Sequence, residues 1–150
     1  MRQSSMPTSV GLLGYGGLIP FLALALMSNA DTAHGILYRG ALLLYGSVIL
    51  SFVGAIHWGV AMIDTNLTDH DRRAAYVWSV VPALMAWATY ILSPIPAALV
   101  LIMGFLLQYW RDSSLAQKIQ WPVWYLPMRI RLTVVACLAL ALGTAPQLIY

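Results

Sequence analysis

The chain has 150 residues, of which 61% are hydrophobic and only 9% are charged. Soluble domains carry about 25% charged residues, so this chain has too little polar surface to fold as a water-soluble globule and belongs in a bilayer. Its acidic residues are five Asp and no Glu, which excludes catalytic Glu pairs, EF-hand loops and carboxylate-rich metal cages. The net charge of +3 suits lipid headgroups rather than nucleic acid, because the basic residues fall between apolar segments.

Five apolar stretches are long enough to cross the hydrocarbon core, which needs about 20 residues. The predicted spans are residues 10–27, 39–62, 75–92, 95–110 and 130–149. Two prolines within residues 93–96 predict a tight hairpin between the third and fourth spans. No segment alternates as the strands of a membrane β-barrel do. The chain is therefore predicted to be an all-α integral membrane bundle of five transmembrane helices, forming a single polytopic domain over residues 1–150.

The first span also has a second interpretation. Arg2, the apolar stretch and the sequence Ser28-Asn29-Ala30 resemble a secretory signal with its cleavage site, and cleavage would leave four helices. The glycines and Pro20 inside the stretch favour a retained helix that packs against others.

The basic residues are distributed unequally between the two predicted membrane faces. Seven of the eight fall on one face: Arg2, Arg72, Arg73, Arg111, Lys118, Arg129 and Arg131. Arg39 is the remaining one. The positive-inside rule then predicts a cytoplasmic amino terminus and a periplasmic carboxyl terminus.

His57 is the leading functional candidate, because it lies inside a span and can titrate near neutral pH. Helical spacing places Gly54 on or near its face, whereas Asp64 lies about 10 Å along the axis and is not a direct partner. His57 either bonds to a neighbouring helix or serves a ligand or a proton. A bis-histidine haem is disfavoured because His34 and His70 lie outside the spans, and no cofactor is predicted.

The third span carries a semi-polar stripe that includes Ser79 and Tyr90 and is interrupted by Pro82. Pro82 frees the carbonyl of Trp78, which either binds a substrate, as in some transporters, or is paired by a neighbouring helix or water. Trp58 is predicted to be an interface anchor or a packing residue.

The segment 111–131 is the most polar part of the chain and is predicted to be a loop in the headgroup layer. Its candidate headgroup-binding residues are Lys118, Trp121, Trp124, Tyr125, Arg129 and Arg131. The sequence contains no GxSxG, HExxH or CxxC motif, and the single Cys137 cannot form an intrachain disulfide. No catalytic or metal-binding residue is predicted, and the chain is not expected to be an enzyme.

Several segments resemble a family of small multi-pass membrane proteins catalogued as domain of unknown function 3429, which has bacterial members and a mitochondrial transmembrane relative. The resembling segments are residues 13–25, 42–62, 76–94 and 124–133. The most specific positions are Tyr45, Gly46, Ser51, Phe52, Gly54, His57, Trp58 and Gly59. The sequence departs from the pattern at Pro127-Met128. The resemblance implies a multi-pass protein of the bacterial inner (plasma) membrane and supplies no activity.

Two functions are the leading hypotheses, and a third, an intramembrane enzyme, has no set of residues to support it. The first is a non-enzymatic accessory or assembly subunit that packs against a membrane-protein partner or a second copy of itself, through stripes of small residues such as Ser47, Ser51 and Ala55. The second is a carrier or binding protein for a lipophilic molecule, a quinone or a lipid, that uses His57, Tyr45 and the bent third helix.

Overall fold

The computed structural model describes residues 5–31 and 33–145. Its helices are α1 (Thr8–Gly16), α2 (Leu18–Ala30), α3 (Gly35–Ile63), α4 (Asp69–Ala88), α5 (Pro94–Leu115) and α6 (Tyr125–Thr144), with a 3-10 turn at Thr89–Ile91. With α1 and α2 taken together, five helices are long and apolar enough to cross a membrane. The predicted five-helix bundle is confirmed. The predicted end of the fifth span, residues 146–149, lies outside the described residues.

Helix α3 occupies the centre of the bundle, because it contacts α2, α4, α5 and α6. Those four helices form an arc around it, in the order α4, α5, α6, α2. Fully buried Phe21, Leu50, Leu101 and Leu140 fill the space between them. Lipid cannot drive these helices together as water would, so close van der Waals packing stabilises the arrangement.

Small residues set the distance between α3 and α4. A Cβ atom added to Gly54 would lie 2.8 Å from both Cβ and Cγ of Pro82, so the helices touch backbone to ring at this point. Gly54 therefore permits a close approach of the two helices, and its counterpart is the proline that interrupts α4.

The first span is divided at Gly17 into α1 and α2. Pro20 has no N–H to donate to the carbonyl of Gly16, and its ring crowds the preceding turn. The hydroxyl of Tyr45, on α3, donates to the carbonyl of Gly17 at 2.8 Å. The central helix thus provides a hydrogen-bond donor where the first span is interrupted.

One end of the bundle, which we call the basic end, is where α1, α4 and α6 begin and α3 and α5 end. The guanidinium of Arg72 donates to the carbonyl of Ala61 and, at 2.8 Å, to that of Asp64, and so caps α3. Lys118 pairs with Asp71 and ties the segment after α5 to the start of α4.

The predicted boundaries at this end were wrong. Helix α5 continues to Leu115 and α6 begins at Tyr125, so Arg111, Asp112 and Arg129 lie in helices and not in a loop. At the opposite end, helix α3 begins at Gly35 instead of near Arg39, which places Arg39 inside it. Charged residues can extend these helices because packing against other helices shields or pairs them.

At the opposite end, the turn between α2 and α3 is closed by Asp31. Its carboxylate accepts hydrogen bonds from the backbone N–H groups of Ala33 and His34. The hydrogen bond from the His34 imidazole lowers the pKa of the Asp31 carboxyl below its ordinary value. The Ser28 hydroxyl donates to the carbonyl of Gly143 at 3.0 Å, which joins α2 to α6.

Replacing Gly54 by alanine tests the contact between α3 and α4. The added methyl group must push Pro82 away, and overpacking of this kind costs about 1–3 kcal/mol. We expect Gly54→Ala to lower the free energy of unfolding by that amount, measured by denaturant titration in detergent micelles. Gly59→Ala is the matched control, since nothing lies within 4 Å of the Cβ position at Gly59. Equal stability of the two variants would contradict the contact.

Candidate functional site

Four polar side chains meet inside the half of the bundle nearest the basic end. They are His57 on α3, Gln108 and Asp112 on α5, and Arg129 on α6, and we call them the polar cluster. The exposed fraction is 0% for the first three and 5% for Arg129. Gln108 and Asp112 share a face because they are one helical turn apart. Ionisable groups at such positions are expensive in a membrane and are expected to be paired.

The carboxylate of Asp112 is the common acceptor of the polar cluster. Its Oδ1 accepts from His57 Nε2 at 2.8 Å and from Gln108 Nε2 at 3.0 Å. Its Oδ2 accepts from Arg129 Nε at 2.8 Å. The amide oxygen of Gln108 also accepts from the indole N–H of Trp78 at 2.9 Å. Side chains from α3, α4, α5 and α6 are therefore linked in one network.

The donors around Asp112 fix the arrangement of hydrogens in the cluster. An ionised carboxylate only accepts, so the Nε2 atom of His57 carries the hydrogen. Asp112 and Arg129 compensate each other's charge, and with a neutral imidazole the cluster has no net charge. This is the state that costs least to bury. Nδ1 of His57 has no partner among the described residues.

A cavity of about 270 Å³ lies beside the polar cluster, between α1, α2, α3 and α6. Its wall is largely apolar and includes Phe21 and Phe105. Leu13 and Phe52 also line it and are 79% and 67% exposed. The cavity therefore reaches the surface of the bundle that faces lipid.

Three residues of the cavity wall carry a buried polar atom with no partner in the described part of the chain. These atoms are Arg129 Nη2, Tyr125 OH and Thr133 Oγ1. All three can donate a hydrogen bond. A buried donor left unpaired costs about 1–3 kcal/mol. These atoms are fully buried behind the cavity wall, so an oxygen acceptor in the cavity could pair with them only after the side chains turned toward it.

The structure places the sequence-predicted candidates at several separate positions. His57 bonds to Asp112 and, as predicted, not to Asp64. Tyr45 bonds to the broken first span instead of joining His57. The hydroxyls of Ser51 and Ser79 donate to carbonyls of their own helices, at 2.9 and 2.6 Å.

The remaining aromatic candidates of α3 and the third span lie near the surface. Trp58 is 49% exposed and meets Tyr76 edge to face, with 4.9 Å between the ring centroids. Tyr90 is 90% exposed. Pro82 packs against Gly54, so neither it nor these aromatic residues contribute to the polar cluster.

The predicted headgroup residues divide into a buried and an outer group. Tyr125 and Arg129 are buried, and the ring of Tyr125 is stacked on Trp121 at 4.1 Å. Trp124 lines the cavity. The outer group is Lys118, bonded to Asp71, and Arg131, which donates to the Tyr15 hydroxyl at 3.3 Å.

Sequence reasoning missed Gln108, Asp112 and Trp78 as members of the network. The hydropathy profile falls at Arg111-Asp112, and this fall predicts the end of the fourth span at residue 110. A signal was nevertheless present, because Gln108 and Asp112 have the four-residue spacing of one helix face.

The sequence profile described as "Protein of unknown function (DUF3429)" matches residues 6–145. The chain belongs to the DUF3429 family. It is also similar to Transmembrane protein 69 of Xenopus tropicalis, with 34% identity over 130 residues, which are 85% of this chain and 50% of the relative. The chain thus spans about half the length of this curated relative. No solved structure matches it. The family match includes the polar cluster and the residues that line the cavity.

Replacing Asp112 by asparagine tests whether its charge holds the cluster together. The variant leaves Arg129 buried without a compensating charge, and breaking a buried pair in this way costs about 3–5 kcal/mol. We expect that loss in the free energy of unfolding in detergent micelles. Asp69→Asn is the control, because Asp69 is exposed at the same end of the bundle; we expect it to cost less than about 1 kcal/mol.

A double variant separates charge compensation from packing. Asp112→Leu combined with Arg129→Leu removes both charges, and a buried ion pair replaced by apolar residues is often neutral in stability. We expect the double variant to be more stable than Asp112→Leu alone. A double variant that loses the sum of both single effects would contradict charge compensation.

Proposed function

We propose that this membrane protein binds a lipophilic molecule with an oxygen-bearing head group, a quinone or a lipid, in the cavity beside the polar cluster. The observation that supports this function is a cavity that is open to lipid and whose wall includes Arg129, Tyr125 and Thr133, three residues with buried donors that have no described partner. The molecule enters from the bilayer between Leu13 and Phe52, where the cavity reaches the lipid-facing surface.

The chemistry of the wall favours a neutral hydrogen-bond acceptor. Asp112 already compensates the charge of Arg129, so a second anion would gain little from it. A carbonyl oxygen accepts hydrogen bonds without adding charge at this depth. A quinone or ester carbonyl is therefore the preferred head group, with the tail remaining in lipid.

His57 acts in this proposal as a positioning residue. It does not reach the cavity wall directly, and it is connected to Arg129 through Asp112. Its bond to Oδ1 holds the carboxylate in the orientation in which Oδ2 faces Arg129. The guanidinium is then held beside the cavity wall, with an Nη2 that no described protein group engages.

We also propose that the basic end faces the cytoplasm of a bacterium, in the inner membrane. Arg72, Arg73, Arg111, Lys118 and Arg131 lie at this end, whereas Arg39 lies near the opposite end and is buried. This asymmetry supports a cytoplasmic amino terminus and a periplasmic carboxyl terminus.

An accessory or assembly role remains a second candidate. A groove of about 800 Å³ between α3 and α4 faces lipid, and its lining combines bulky residues such as Leu44 and Trp87 with small ones, among them Gly40, Ser47, Ala83 and Ala86. Small residues allow a transmembrane helix of another protein to approach closely.

A pair of Tyr→Phe variants tests ligand binding in the cavity. Tyr125→Phe removes a hydroxyl that has no described protein partner, so we expect unchanged stability. We also expect about three- to tenfold weaker binding of a short-chain ubiquinone analogue, which corresponds to one hydrogen bond. Binding is measured by equilibrium titration of the purified protein in detergent micelles.

Tyr45→Phe is the matched control for that experiment. Its hydroxyl bonds to Gly17, so we expect about 0.5–1.5 kcal/mol lower stability and unchanged quinone affinity. Absence of saturable binding to the unmodified protein, for the quinone analogue and for a fatty acid methyl ester alike, would contradict the proposal.

Site-specific crosslinking tests the second candidate. A photocrosslinking residue at Ala83, in the groove, is expected to give one protein adduct of constant mass in native membranes. The same residue at Leu138, which is 57% exposed on α6, should give lipid adducts alone. Lipid adducts alone at both positions would argue against a partner helix in the groove.

A further inference from the structure

A second concave surface lies at the basic end, on the side of the bundle formed by α4 and α5 and away from the cavity. It is a groove of about 520 Å³ between α4 and α5. Its polar lining residues are His70, Arg73 and Arg111, together with Trp78. Its lining includes no acidic residue. We call this surface the basic groove.

The two guanidinium groups of the basic groove are available to an anion. In the described part of the chain, neither Arg73 nor Arg111 lies within 4.0 Å of a carboxylate. Arg73 Nε donates only to the backbone carbonyl of Asp69, at 3.3 Å. The guanidinium carbon of Arg111 lies 5.2 Å from the centroid of the Trp78 ring, and its buried Nε has no described partner.

Of the nearby acids, exposed Asp69 forms no ion pair with Arg73 or Arg111 in the described structure, and the other two are bonded elsewhere. Asp112 accepts from His57, Gln108 and Arg129. Asp71 pairs with Lys118, and His70 Nδ1 lies 3.7 Å from the same carboxylate. The positive charge of Arg73 and Arg111 therefore remains uncompensated by a side chain.

The groove changes from basic to apolar along the axis of α4. His70 and Arg73 lie in the first two turns, and Val77 and Val81 follow one turn apart on the same face. Val77 is 69% exposed. This order matches the order of groups in a phospholipid at a membrane surface, in which the phosphate lies outermost and the acyl chains follow.

We propose that the basic groove binds one anionic phospholipid, with the phosphate between Arg73 and Arg111 and an acyl chain along Val77 and Val81. Guanidinium groups suit this phosphate because their planar donors engage two oxygens at once. Trp78 holds Arg111 in place by a cation–π contact. The site is independent of the cavity and of the function proposed for it.

Titration of phosphatidylglycerol into the full chain in neutral detergent micelles tests this proposal. Native mass spectrometry counts the lipids bound to each protein, and a neutral micelle has no surface charge of its own to attract them. We expect one saturable adduct with phosphatidylglycerol and much weaker binding of phosphatidylcholine. Combining Arg73→Gln with Arg111→Gln should weaken the adduct about thirtyfold, because each basic residue near an anionic lipid contributes about a factor of five.

Arg131→Gln is the matched control for Arg73→Gln, since each variant removes one positive charge from an exposed arginine at the same end of the bundle. We expect it to keep the adduct. Arg73→Lys with Arg111→Lys should retain part of the affinity, and Arg73→Gln alone provides a test at an exposed residue if the double variant does not fold.

Three outcomes would overturn the proposal. The first is equal loss of the adduct in the control and in the groove variants. The second is equal binding of phosphatidylcholine. The third is displacement of the lipid by inorganic phosphate at comparable concentration, which would indicate a site for free phosphate instead of a lipid.

Discussion

The carboxylate of Asp112 determines how the half of the bundle nearest the basic end is assembled. It accepts hydrogen bonds from α3, α5 and α6, while Gln108 extends the network to α4 through Trp78. In lipid, apolar side chains gain little from leaving one helix surface for another. The buried charge of Asp112 therefore determines which helices pack against α5 more strictly than the apolar residues of α5 do. Only the observed arrangement gives Asp112 its full set of donors.

The same interaction explains how a cavity with polar groups can exist beside an apolar core. Arg129 uses Nε for Asp112, so its charge is compensated even though Nη2 has no described partner. Tyr125 and Thr133 flank Arg129 at one helical turn on either side along α6. One face of α6 thus carries three residues that line one cavity. Asp112 compensates the positive charge on that face, which lowers the free-energy cost of burying Arg129.

Most of the fold could be predicted from hydropathy, and much less of the site. The five spans and the hairpin after the third span could be predicted because each depends on residues that are close together in the sequence, namely long apolar runs and prolines. Pro94 and Pro96 proved to lie in the first turn of α5, where a missing N–H costs nothing. Sequence identified His57, but not its partner, because the Asp112 pair connects residues 55 positions apart. A charge also lowers local hydropathy whether it is exposed or paired, so Arg111-Asp112 and Arg129 were assigned to a loop.

The distances along the chain between members of the polar cluster have a consequence for biosynthesis. Translation runs from the amino terminus, so His57 and Asp112 are made before Arg129, which follows Asp112 by 17 residues. Helix α5 therefore leaves the ribosome ahead of α6, which carries the counter-charge of its carboxylate. A chain that stops before residue 129 would hold an acid in the bilayer without this counter-charge, so the pairing of Asp112 requires that both helices be made.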